Sequence, residues 1–105
     1  MIINEELGDA GTYEALAPDT ATGITSTIRH PTSGFYKGKM ARAALIVVET
    51  NPVRFRVDGT APEAGVGIPM GAGQNIELKG VNNVKNFSCI DQSAAASTVH
   101  VQVYF

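Results

Sequence analysis

The sequence predicts an all-β fold, an antiparallel β-sandwich or a jelly-roll-like barrel with an irregular N-terminal arm. Three observations carry this. Apolar residues alternate with polar ones along Val99, Val101, Val103 and Phe105, and again along Val53, Phe55 and Val57, the two-residue period of a strand with one buried face. The strand-like runs are short and separated by Gly, Pro, Asn and Asp, the spacing expected of antiparallel sheets. No alternation of strand and long helix appears, so a parallel βαβ sheet is not expected. At 105 residues the chain is one domain, large enough to bury a core without disulfides or a structural metal. The expected division is an arm over residues 1–20 and a single β domain over residues 21–105.

The first forty residues hold Gly8, Gly11, Pro18, Gly23, Pro31, Gly34 and Gly38, too many breakers for long helices. Ile24–Ile28 reads as a short strand and Arg29–Lys39 as a loop. Ala41–Glu49 contains Leu45-Ile46-Val47-Val48, a continuous run that suits a strand buried on both faces. The alanines at its start also allow a helical turn, so an α+β fold with one helix near Lys37–Ala44 is the alternative. Thr50-Asn51-Pro52 is a turn, and Val53–Val57 is expected to pair with the preceding strand as a hairpin. Thr60–Gln74 is a glycine-rich loop in which Val66–Met70 can form only an edge strand, because Pro69 lacks an amide donor. Asn75–Lys79 is a strand with Ile76 and Leu78 inward, Gly80–Asn83 a turn, and Val84–Asp91 a strand around Phe87, Cys89 and Ile90. Thr98–Phe105 closes the domain, with His100 on its outward face.

Composition narrows the function classes. Charged residues are 17% of the chain, below the roughly 25% usual for soluble proteins, which leaves neutral surface for contact with partners. A formal charge of −2 and no basic stripe give nucleic-acid binding little electrostatic support. The N-terminus lacks the basic-then-apolar order of a signal peptide, and no apolar run approaches the ~20 residues of a membrane helix. A soluble protein made in the cytoplasm is expected. Cys89 is the single cysteine, which rules out an intrachain disulfide, and its apolar neighbours mark a buried thiol.

No motif brings chemistry with it. Gly65–Gly71 has the glycine density of a phosphate loop but contains Pro69 and opens no helix. His30 and His100 are the only histidines, and no metal-ligand spacing joins them to Asp, Glu or Cys. Asp58 is expected to shape its turn through an Asx-type bond, and Glu49 and Asp58 to pair with Arg42, Arg54 or Arg56. No catalytic residue, cofactor or metal is expected, and the chain is read as a non-enzyme. Ile2, Ile3 and Leu7 are the candidate partner-contact residues, because an apolar arm can add a strand to a neighbour's sheet.

From Ala41 to Phe105 the chain resembles a family of small β-sandwich proteins of tailed bacteriophages and prophages. The residues that carry the resemblance are Ala44–Glu49, Val53–Pro62, Gly67–Met70, Gly73–Leu78, Val84–Phe87, Cys89-Ile90 and Val99–Phe105. It implies a virion component, such as a capsid decoration (cement) protein or a head–tail or tail accessory protein. On that reading the partners are the major capsid protein or other virion proteins, the chain forms a homo-oligomer, and it is made in the host cytoplasm and ends in the virion. The other class to weigh is a stand-alone carbohydrate-binding β domain. Against it, the chain has no tryptophan, and Tyr13, Tyr36 and Tyr104 are scattered in sequence.

Overall fold

The computed structural model describes residues 8–105. Ten elements follow in order: β1 (Ala10–Leu16), β2 (Thr22–Gly23), α1 (Ser26–Arg29), β3 (Ala43–Glu49), β4 (Val53–Arg56), β5 (Ile68–Met70), β6 (Asn75–Lys79), α2 (Val81–Asn86), β7 (Ser88–Asp91) and β8 (Thr98–Tyr104). The strands form two four-stranded antiparallel sheets, β1-β8-β3-β6 and β2-β7-β4-β5. Strand 1 pairs with 8, 2 with 7, 3 with 6 and 4 with 5. The chain is thus a long antiparallel ribbon folded back at the β4–β5 end and coiled so that successive pairs fall in alternate sheets. That is the strand order of a jelly roll.

Between the sheets lies one apolar core. Ile46, Val53, Cys89, Val99, Val101 and Val103 are each fully buried there, with Phe87 and Val84 beside them. The alternation in β8 puts Val99, Val101 and Val103 inward, as its period requires. In β6, Leu78 is buried and Ile76 packs against the core. On β4, Val53 and Phe55 are buried while Arg54 and Arg56 point outward.

Three expectations are corrected, and the alternative helix is set aside. β3 and β4 do not form a hairpin. Both edges of β3 are already taken, by β8 and β6, so the link Thr50–Pro52 carries the chain across to the other sheet. Ile24–Ile28 is not a strand: the carboxylate of Glu14 accepts the Thr25 backbone N–H at 2.8 Å and the Thr25 hydroxyl at 2.7 Å, and Ile28 and Arg29 donate back to the Thr25 carbonyl, closing the turn α1. The stretch Val81–Asn86 is the helix α2, with only Ser88–Asp91 left as strand; Gly80 enters it at φ 103° and Val84 turns into the core. No helix occupies Lys37–Ala44. In addition, Ala10–Leu16, within the stretch expected to be an arm, is the strand β1, paired along β8 from Leu16–Val99 to Ala10–Tyr104.

Candidate functional site: a loop tip and a sheet groove

Two surface features stand out, built from different parts of the chain. The first is the loop between α1 and β3. Phe35 at its tip is 86% exposed, too open to contribute to the core. The loop beneath it is nonetheless fixed. Tyr36 stacks on Phe105 with ring centroids 4.5 Å apart and planes 8° from parallel, and Phe35 meets Tyr36 edge to face at 5.0 Å. Backbone bonds from Gly38 N–H to the Pro31 carbonyl and from Ala41 N–H to the Arg29 carbonyl close the loop at its base. Phe105 is in turn packed against the core. Lys37 and Lys39 follow the tip and are exposed, and Met40 beside them is half exposed. From Thr20 to Val48 the chain holds no carboxylate but four of its eight Lys and Arg residues, so the tip is cationic within a chain of net charge −2.

The second feature is a groove of about 220 Å³ on the outer face of the β1-β8-β3-β6 sheet, lined by Tyr13, Leu45, Val47, His100, Gln102 and Tyr104. Register places it. Tyr13 on β1 lies opposite Gln102 on β8, which lies opposite Leu45 on β3, itself opposite Glu77 on β6; one row along, Ala15, His100, Val47 and Asn75 stand side by side. Leu45, Ala43 and Tyr104 form a small buried cluster on this outer face, with Val47 against it. So β3 is apolar on both faces, and only one of them belongs to the main core.

Several polar groups around the groove bond one another or the backbone. The Tyr13 hydroxyl lies 2.5 Å from His100 Nδ1, and His100 Nε2 lies 2.9 Å from Glu49 Oε1. One imidazole tautomer satisfies both: Nε2–H donates to the carboxylate and Nδ1 accepts from the phenol. The Tyr13 and His100 rings lie nearly parallel, 19° apart. Gln102 donates through Nε2 to the Gly11 carbonyl at 2.7 Å. What faces outward is therefore mainly hydrocarbon and ring surface, with Glu49 at one end and Glu77 on one flank. Lys79 stands in the Ala43–Tyr104 row, at the end away from Glu49.

On the opposite sheet, Arg56 and Asp58 pair through two hydrogen bonds, and Asp58 also accepts the Thr60 N–H, the Asx-type turn expected of it. The Arg56 guanidinium and that backbone bond hold the Asp58 carboxyl below its ordinary range. Arg54 donates to the Gly67 carbonyl at 2.9 Å and so pins the glycine-rich loop. Glu49 meets His100, not an arginine. Cys89 is fully buried, and burial together with the nearby Asp91 pushes its thiol up to about 12.

The candidate contact residues Ile2, Ile3 and Leu7 lie outside the described residues. Neither Phe35 nor the Tyr13–His100–Glu49 chain was singled out from the sequence. Phe35 carried a signal, an aromatic residue between glycine and lysines in a breaker-rich loop. The groove carried none, because its residues come from three strands. Among the described residues no helix is long and apolar enough to cross a membrane, and no three His, Cys, Asp or Glu side chains converge on a metal site. No family model matches the chain, nor does any curated protein or solved structure.

Proposed function

We propose that the chain is a non-catalytic assembly module, a structural protein of a tailed-phage virion of the decoration or cement type, acting by protein–protein contact. The observation that carries the contact reading is Phe35. A large apolar side chain held in solvent on a loop locked by ring stacking is costly to leave bare and has the form of an interface anchor. The flanking Lys37 and Lys39 add charge that steers an acidic partner. The virion setting rests on the resemblance along Ala41–Phe105. The fold alone does not choose it, since jelly rolls serve capsids and lectins alike.

The groove gives less support to a sugar site or an active site. A volume of about 220 Å³ is below the roughly 300 Å³ at which small-molecule pockets begin. Of the groups that would read hydroxyl groups, both His100 nitrogens and the Gln102 amide nitrogen are bonded within the chain. The test is co-sedimentation with empty shells of the major capsid protein encoded in the same genome. Folded protein is expected to bind at a fixed stoichiometry, and Phe35→Ser, which removes a contact with the shell or with a neighbouring copy on it, to weaken binding at least tenfold. Wild-type protein that stays in the supernatant rejects the virion reading.

A further inference from the structure

The loop tip and the groove complement each other. The tip is an exposed aromatic ring followed by two exposed lysines, Lys37 and Lys39. The groove is an apolar slot of side-chain size with Glu49 at its end and Glu77 on its flank. They share no residue, and the tip stands at the Phe105 end of the domain while the groove lies across the face of the β1-β8-β3-β6 sheet. We infer that Phe35 of one copy seats in the Tyr13–Leu45–Val47–His100 groove of a second copy, with Lys37 and Lys39 facing Glu49 and Glu77. This contact is heterologous: each copy offers one tip and one groove, so the product is a ring where the rotation closes and a filament where it does not.

Three features favour a second copy as the occupant. The slot is too small for a drug-sized ligand but receives a single ring. Its outward surface is apolar, which a ring satisfies without polar groups of its own. Its carboxylates oppose the charge of the tip, which fixes the direction of entry. The inference rests on reading the chain as an assembly module, and it names the surfaces that would join copy to copy.

The experiment uses the full chain in light scattering and sedimentation velocity over a range of concentrations, with circular dichroism as a check on folding. Phe35→Ser removes the anchor at a residue that packs against no core. Tyr13→Lys places a cation at the mouth of the groove on a half-exposed residue. Wild type is expected to self-associate, less tightly at high salt, and each variant alone to lose at least tenfold in association. The decisive measurement is their mixture. Phe35→Ser retains a groove and Tyr13→Lys retains a tip, so together they should form one-to-one dimers and nothing larger. A mixture that stays monomeric, or a folded Phe35→Ser that associates like wild type, overturns the inference. So does loss confined to a variant lacking residues 1–7, which would make the N-terminal segment the occupant. A wild type that is monomeric yet binds capsid shells overturns this inference and leaves the proposed function standing. One that assembles but ignores the shells does the reverse.

Discussion

Thr50 has a backbone φ of 85°, the only non-glycine residue with a positive φ among those described. A β-branched side chain there is an outlier, and the left-handed region costs about 1–2 kcal/mol for a residue with a Cβ. The position is fixed by what it joins: the chain leaves β3 in one sheet and must enter β4 in the other within three residues. Thr50→Gly should raise stability by up to about 1 kcal/mol, the strain relieved less the entropy glycine loses on folding. In a domain of this size that is a rise in Tm of about 4 °C, read by thermal unfolding; a fall would show that the Thr50 side chain contributes more than its backbone costs. At Cys89 the expected behaviour is chemical. With its thiol pushed up to about 12, native protein should be inert to a thiol reagent at pH 8 and react with one equivalent only in denaturant. Below pH 9 both states hold the proton, whereas between 9 and about 12 the unfolded state releases it first, so this group's contribution to stability falls as pH rises through that window. Denaturant midpoints for wild type and Cys89→Ala across pH 8–11 would show the difference in slope.

Elements were legible where a single local rule decided them. β8 and β6 alternate, and they lie in the structure as their period demands. β5 is an edge strand because Pro69 permits nothing else. Where the deciding partner is distant in sequence, the reading failed. Thr25 is turned by Glu14, eleven residues upstream. Val81–Asn86 has apolar residues at 81 and 84, a spacing that a strand reading overlooks because each is isolated among asparagines. The packing environment now separates the strands energetically. Ile46 on β3 is fully buried between two neighbouring strands, and Ile46→Ala should cost about 2–5 kcal/mol. Ile68 on β5 is 54% exposed, and Ile68→Ala should stay within about 0.5 kcal/mol, as surface changes do. Urea unfolding of the pair measures the contrast. Equal losses would mean that the β5 edge is covered in solution.

The whole molecule is a ribbon closed on itself: its first described strand lies against its last. This was the part least open to sequence reading, because pairing β1 with β8 joins residues some ninety positions apart and no local signal records such a contact. The groove was hidden for the same reason, being assembled from β1, β3 and β8. The closure has a direct consequence for truncation. Among the described residues the pairing reaches Asp9, which exchanges backbone hydrogen bonds of 3.1 and 2.8 Å with Phe105, so removing residues 1–7 cuts no described strand, whereas removing residues 1–16 does. Removing 1–16 takes away β1, Leu16 with it, and the Glu14 clamp on Thr25. It opens the edge of β8 and uncovers one side of the layer that buries Val99, Val101 and Val103. A long, apolar, unpaired edge is a template for association with another chain. The variant starting at residue 17 should therefore aggregate or lose its cooperative unfolding transition, while the variant starting at residue 8 keeps both its far-ultraviolet dichroism and its transition. A soluble, cooperatively folded chain starting at residue 17 would show that β1 is an appendage to a seven-stranded core, and would make the two sheets the stable unit without the ribbon's closure.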